Sequence, residues 1–305
     1  MNTAGITESR RRDYLDKIQK LRLMDDDFFN KCMEGSTECV ELILHIIMDR
    51  TDLKVISAQT QHTIKNLQGR SVRLDVLAMD DSGRQINIEI QREDKGAGSK
   101  RARYHSSILD ANLLLAGENF EELPETYVIF ITERDVLKKG LPLYRVERCV
   151  LETNEAFGDG SHIMYVNGEN RDETPLGRLM HDFSCADPKD MNYQALADRT
   201  RYFKSDKEGV GIMCRLLEDM RNEALEEGKR EGIVVGIEVG KKEGIEVGKK
   251  EGIEVGKREG IEVGKKEGAL NAARLMLQDG TLSLERIAAF AGLSYDEVKA
   301  IADNK

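Results

Sequence analysis

Asp75 and Glu89 are the residues of this chain best placed to do chemistry, because a β-hairpin would bring their carboxylates face to face. Residues 71–80 read S-V-R-L-D-V-L-A-M-D and residues 84–92 read R-Q-I-N-I-E-I-Q-R, two β-prone runs joined by Asp81-Ser82-Gly83. A three-residue loop ending in Gly suits a type I turn closed by a left-handed residue. That loop pairs Asp80 with Arg84. Counting back along the strands sets Asp75 opposite Glu89 and Arg73 opposite Gln91, with Ile86, Ile88 and Ile90 on the other face. Like charges directly across a ladder are unfavourable unless something lies between them. A hard divalent cation such as Mg²⁺ takes oxygen ligands from one or two carboxylates and keeps waters for chemistry, so metal-assisted hydrolysis is the reaction type that this spacing suggests. Taken alone, D-x13-E-x-Q is a weak signal, since carboxylates on the solvated face of a hairpin are ordinary.

The elements around the pair can be read from periodicity. Helices are expected over about Thr7 to Arg22 and Thr37 to Asp49, the second with apolar residues at 40, 43, 44, 47 and 48. Lys54 to Gln59 and His62 to Asn66 suggest another hairpin leading into the site strands. Ser99 could cap a helix running to about Ala116, and E-T-Y-V-I-F-I-T, residues 125–132, reads as a continuous buried strand. Strand, strand, helix, strand is the order of an α/β sandwich whose active edge is formed by its first strands. The basic run K-G-A-G-S-K-R-A-R-Y, Lys95 to Tyr104, follows the acids directly. Lys100, Arg101 and Arg103 would fall in the first turns of the helix, where the dipole disfavours cations. That placement makes more sense if phosphate is nearby, with a solvated basic helix start as an equal alternative on the residues alone.

The hairpin resembles the core of the PD-(D/E)xK nucleases, and the surrounding sequence looks like the Rpn branch, the recombination-promoting nucleases also labelled transposases. The resemblance runs from about Leu21 to Phe203. It is carried by L-M-D-D-D-F-F, N-L-Q-G-R-S-V-R-L-D, N-I-E-I-Q, K-R-A-R-Y, P-E-T-Y-V-I-F-I-T and M-H-D-F. It implies a restriction-endonuclease-like fold, with Asp75 as the motif aspartate, Glu89 as the motif acid and Gln91 as the third member. Leu74 replaces the motif proline, and Gln91 stands where most nucleases of the fold have lysine, as in the Rpn variant. An acid from the first core helix often joins the metal shell in such folds. Glu41, with Glu38 as its rival, is the resulting candidate third ligand, weighed against both being plain surface residues. The implied activity is Mg²⁺-dependent endonucleolytic hydrolysis of DNA, with Asp75 and Glu89 on the metal, Gln91 orienting the attacking water, and Lys100, Arg101 and Arg103 on the strand backbone. If Gln91 has no part in the chemistry, Lys95 or Lys100 is the next candidate for the missing cation. The competing reading is a nuclease fold with weak or no catalysis, serving as a DNA-associated or self-assembling regulator.

Composition narrows the class. The chain has 305 residues, 40% of them apolar, enough for one sizeable domain and a smaller module. A net charge of -10 argues against indiscriminate DNA coating, so any nucleic-acid contact must be local. No run approaches 18 apolar residues and the first residues lack an apolar signal core, so a cytoplasmic protein with no membrane span is expected. The cysteines at 32, 39, 149, 185 and 214 read as reduced thiols, and neither they nor the five histidines show zinc-ligand spacing.

Three segments are expected: a nuclease-like domain over 1–205, a helical connector with Gly-rich repeats over 206–268, and a helix-turn-helix-like module over 269–305. From Gly236 to Glu267 the chain consists of four copies of G-I-E-V-G-K-K-E, with one Lys to Arg change at Arg258. Each copy places Glu four residues before Lys or Arg, the favourable order for helical ion pairs. Each interior Gly costs roughly 1 kcal/mol relative to Ala, and the eight-residue period advances the apolar positions by roughly 80° per unit, so no straight stripe forms. A marginal long helix ordered by packing against other chains, and hence a homo-oligomer, is the favoured reading; a solvated spacer, disorder or stacked strands are its rivals. The last module has helix-turn-helix spacing at Ile287, Ala288, Ala291, Leu293 and Val298. Asp296 and Glu297 against a lone Lys299 make it a poor DNA reader, so capping or self-association is at least as reasonable.

Overall fold

A computed structural model describes residues 7–66, 69–92 and 96–303. Two compact units divide at Arg221 and Asn222. The first contains helices α1 (Glu8–Lys20), α2 (Asp26–Met33), α3 (Thr37–Met48), α4 (Ser99–Ala111), α5 (Pro175–Ser184) and α6 (Gln194–Ser205), together with the beginning of α7 (Lys207–Asp279). Its strands are β1 (Val55–Ile64), β2 (Val72–Asp80), β3 (Gln85–Gln91), β4 (Thr126–Thr132), β5 (Leu143–Val146), β6 (Cys149–Val150), β7 (Glu155–Ala156) and β8 (Ser161–Asn167). Six of them form a mixed sheet in the order β1-β2-β3-β4-β8-β5, while β6 and β7 make a separate small hairpin. β1, β2 and β3 run antiparallel, β3, β4 and β8 run parallel, and β5 returns antiparallel to β8.

Two cores sandwich this sheet. On one face Ile86, Ile88, Ile90, Ile129 and Ile131 pack against residues of α1, α2, α3, α5 and α6. On the other, Val128, Phe130 and Tyr165 pack against Ala102, Ile108 and Leu109 of α4. Both faces of the central parallel strands are therefore buried, which is why T-Y-V-I-F-I-T is continuously apolar rather than alternating. The first turns of α7 join the larger core through Met213 and Cys214. The α/β unit thus reaches Arg221, beyond the boundary expected at 205, because those turns carry the apolar side chains that close it.

Local chemistry sets the element ends. Ser36 caps α3 by accepting from the Cys39 amide, and Asp49 ends that helix in the left-handed conformation. Asp80 organises the β2–β3 turn: its carboxylate accepts from the amides of Ser82 and Arg84, each at 2.9 Å, and pairs with the Arg84 side chain at 2.5 Å. Gly83 takes the left-handed position at φ 82°. The pairing Met79↔Gln85 through Val76↔Ile88 is the register that the turn predicts. Deeper in the unit, Lys204 is buried and its ammonium donates to the carbonyls of Gln19, Leu21 and Ala186, tying α6 to the chain on either side.

Three local expectations need correction. The hairpin expected over 54–66 is one strand, β1, paired along its length with β2. The break sensed near residue 61 is a kink: Gln61 adopts φ 55°, and the ladder passes from Thr60↔Val76 to His62↔Leu74 across it. No Gly or Asp-Gly pair is present there to reverse the chain. The helix expected over 99–116 ends at Ala111, and its cap position is Gly98, with Ser99 the first helical residue. An additional helix, α2, stands at the D-D-D-F-F segment.

In the second unit α7 continues through the repeats as one helix to Asp279, with every residue from 222 to 268 exposed. Lys250 pairs with Glu246 at 3.3 Å within it. The helix stops at Gly280, φ 69°, and α8 (Leu284–Ala291) and α9 (Tyr295–Asp303) follow, separated by a left-handed Gly292. Ala273, Ile287, Ala288 and Val298 form a small core there. Among the described residues no helix is long and apolar enough to cross a membrane, and all five cysteines are free.

Candidate active site

The acids meet where the sheet changes face. Val72 and Leu74 belong to the α4 core, whereas Val76 and Ala78 belong to the opposite one, so β2 reverses its in-out pattern at Asp75. Gln61, the left-handed residue of β1, lies between the partners of Leu74 and Val76 and marks the same position on the neighbouring strand. Irregularities of this kind re-aim side chains next to functional sites. The backbone ladder between β2 and β3 is recorded only as far as Val76↔Ile88, and beyond it side chains take over. Asp75 accepts from the Ile90 amide at 2.8 Å, and Glu89 lies 3.4 Å from the Asp75 amide.

Glu89 is buried and surrounded by donors. Its Oε1 accepts from Asn87 Nδ2 at 3.1 Å and lies 3.5 Å from His105 Nδ1, while its Oε2 meets Arg101 at 3.2 Å. Asn87, Glu89 and Gln91 share one face of β3 by strand alternation, and Arg101 and His105 share one face of α4 by their four-residue spacing. Arg101 also donates to Gln91 Oε1 at 3.4 Å and to the Gly96 carbonyl at 3.2 Å, and its Nε lies 3.3 Å from His105 Nε2. The His105 ring rests 6.0 Å from Phe130, which fixes it from below.

Asp75 has a different electrostatic setting. Burial, reinforced by the nearby charges of Glu89 and Asp26, pushes its carboxyl up to about 8. Asp26, in the first turn of α2, lies within hydrogen-bonding reach of Asp75, and its own carboxyl is raised by burial and by the charge of Asp27. Asn30 holds Asp26 at 2.5 Å. A set of ion pairs steadies the entry to this helix: Arg22 bonds Glu133 at 2.9 Å and Arg92 bonds Asp25 at 2.8 Å, linking the α1–α2 connection to the ends of β3 and β4.

Three carboxyl groups therefore lie close together, with Arg101 beside Asp75 and Glu89 and the charge of Arg73 acting on Asp26. The donors are all oxygens, which suits Mg²⁺ and not a thiolate- or imidazole-preferring metal. Asn87 Oδ1 adds a buried oxygen with no hydrogen-bond partner among the described residues. The described residues form no closed cage of three acidic, His or Cys ligands. A site of one or two carboxylates with waters completing the shell is what Mg²⁺ ordinarily uses, so the donor set fits that ion.

The structure brings together Asp75, Glu89, Gln91 and Arg101 of the expected residues. It does not bring Glu41: that carboxylate accepts from the Val55 amide at 2.8 Å, at the end of β1 that pairs with Asp80, five residues along β2 from Asp75. Glu41 holds the start of a strand, and the acid from the helical layer that reaches the site is Asp26. Glu38 is exposed on the first turn of α3. Lys100 and Arg103 are exposed, and Arg103 projects away from Arg101 toward a recess that includes Val146 and Tyr165, since two residues along a helix turn about 200°. Lys95 lies outside the described residues, as do Leu67 and Gln68 of the N-L-Q-G-R segment.

Gly96 matters for close approach. A Cβ built there would stand 1.8 Å from Gln91 Cδ and Oε1, the end of a flexible side chain. Gly96→Ala is accordingly expected to fold normally while dislodging Gln91. Its single-turnover cleavage rate should fall to that of Gln91→Ala, and a rate equal to wild type would show that the position of Gln91 is irrelevant.

Residues 27–175 match the family model described as PD-(D/E)XK nuclease family transposase. No curated protein and no solved structure matches the chain.

Proposed function

We propose, from the match of residues 27–175 to the PD-(D/E)XK nuclease family transposase model, that the chain is a Mg²⁺-dependent DNA endonuclease of the Rpn type, hydrolysing phosphodiester bonds. The observation that carries this reading is the meeting of the buried Asp75 and Glu89 with the exposed Asp26 at the kinked end of the β2–β3 ladder, with Arg101 paired to Glu89. Asp75 and Glu89 would hold the metal, and Asp26 is the acid from the helical layer that lies beside them, where the sequence offers Glu41. Bound there, Mg²⁺ supplies a water of lowered pKa and neutralises charge developing on the phosphate. Gln91 presents a neutral donor and acceptor at the mouth of the site and orients the attacking water. Arg101 reaches both Glu89 and Gln91, which places its guanidinium where it would meet the phosphate of a bound strand. Lys100, exposed on the same helix, contacts the strand backbone, whereas Arg103 faces the recess beside Val146 and Tyr165 and is not part of that surface.

The lysine common in nucleases of this fold would set an ammonium beside the attacking water; Gln91 cannot supply that charge. Gln91→Ala is expected to lower the single-turnover rate by about 10²-fold, the order seen when one positioned donor is removed, while Gln91→Lys retains or raises it. Equal rates for wild type and Gln91→Ala would shift the reading toward a nuclease fold kept for regulation.

The exposed repeats of α7 carry Ile and Val on a helix that has no core of its own over 222–268. We read them as an oligomerisation segment. Deleting 236–267 should lower the mass seen in light scattering and leave Mg²⁺-dependent cleavage intact; an unchanged mass would make the repeats a spacer.

A further inference from the structure

Residues 145–159 are all exposed, yet they carry Val146, Val150, Leu151 and Phe157, the last two at 83% and 62% exposure. Contiguous apolar exposure of this kind marks an interaction surface. Two further facts place it. β5 is the last strand of the six-stranded sheet, so its outer edge has no partner strand. The β6–β7 hairpin that follows has two residues per strand, too few to be stable without something to pack on.

The backbone of β5 says how a partner would pair. The Pro142 carbonyl accepts from the Asn167 amide on β8, so by alternation Tyr144 and Val146 direct their backbone groups to β8, while Leu143, Arg145 and Glu147 direct theirs outward. Three axes of two-fold antiparallel pairing lie in the middle of this edge, at Tyr144, Arg145 and Val146. An axis at Arg145 sets that residue against its own copy, which is repulsive. An axis at Tyr144 pairs Leu143 with Arg145 and gains no charge contact. An axis at Val146 pairs Arg145 with Glu147 twice, on one face, and brings the two Val146 side chains together on the other. On that second face Val146, Leu137, Ile163 and Tyr165 line an apolar recess of about 480 Å³, room for side chains of an incoming copy.

We propose that β5 and the hairpin after it are the docking face for a second copy of this chain, joined edge to edge about a two-fold axis at Val146 so that the two sheets become continuous. The occupant is a second copy because, with the axis at Val146, the edge is complementary in charge to itself, Glu147 being held by His162 at 2.9 Å on the strand beside it. The β5 edge lies at the opposite end of the sheet order from β1 and β2, while the recess beside it reaches Ser99, Ala102 and Arg103 of α4.

The test uses the full chain. In a Cys149→Ala background, which removes an exposed thiol, Val146→Cys should form an interchain disulfide on mild oxidation, because symmetry-related residues at such an axis lie about 4.5 Å apart between Cα atoms. Asp198→Cys, exposed on α6, serves as the control for chance encounter. Adding Arg145→Glu to the Val146→Cys chain should slow cross-linking about tenfold, by turning both attractive pairs repulsive, and Arg145→Glu with Glu147→Arg should restore it. Cross-linking of Val146→Cys no faster than the Asp198→Cys control would overturn the proposal, as would a rate indifferent to the charge reversals. Either result would assign the surface to another occupant and would leave the nuclease reading untouched.

Discussion

Asp75→Ala and Glu89→Ala are each expected to lower Mg²⁺-dependent cleavage by about 10³-fold or more while the protein stays folded. The figure follows from losing a metal ligand whose metal contributes several kcal/mol to the barrier, at 1.36 kcal/mol per factor of ten. Folding should survive Asp75→Ala because the cost of burying that carboxyl beside other negative charges offsets the loss of its bond from the Ile90 amide. A carboxyl whose folded pKa lies above its ordinary value near 3.8 binds its proton more tightly in the folded chain. Without metal, Asp75 thus costs stability progressively as pH rises from about 4 through about 8, and the cost is fully present above that. Asp75→Ala should remove this loss, so that the metal-free mutant equals or exceeds wild type in urea melts at pH 9. Full cleavage by either mutant would remove these residues from the chemistry, and a collapsed urea midpoint would make them structural.

The largest effect on stability away from the site should come from Asp182→Ala. Asp182 is wholly buried in α5 and accepts three hydrogen bonds at 2.8 Å, from the Asn192 and Tyr193 amides and from Asn192 Nδ2. These bonds fix the chain just before α6, the helix that closes the larger core with Leu196 and Phe203. Charge-assisted bonds contribute about 1.5–3 kcal/mol each and caps about 1, with partial overlap in one group, so a loss of about 3 kcal/mol is expected in urea unfolding. The rate per folded molecule should not change, since nothing in this contact touches the acids. A loss below about 0.5 kcal/mol would mean that water replaces the carboxylate without penalty.

The β2–β3 register was legible because a short loop with Gly last leaves little freedom, and the parity of the strands then follows. What the pair's surroundings look like was not legible. Asp26 sits in a run of three aspartates that reads as the acidic start of a helix, and its place beside Asp75 depends on α2 packing across the sheet. Glu41 had the better local pattern and the wrong end of the strand. Arg101 was read as a phosphate ligand from its place in a basic run, whereas its pairing with Glu89 requires knowing how α4 lies on β3. The kink at Gln61 left only a trace in the sequence, an interruption of the strand pattern that resembles a turn, because a left-handed glutamine carries no residue signature. In the tail, helical propensity weakened by repeated glycine left disorder and stacked strands as rivals to a helix, and the structure gives one helix.

The central claim is that the acids at the end of the β2–β3 ladder support metal-dependent hydrolysis of DNA. Its most direct test is incubation of the purified full chain with supercoiled plasmid in Mg²⁺ and in EDTA, beside Glu89→Ala in Mg²⁺. The account predicts nicked circles from the wild type in Mg²⁺ and from neither of the other two. Nicking that persists in EDTA, nicking by Glu89→Ala at the wild-type rate, or no nicking by the wild type at all would contradict it.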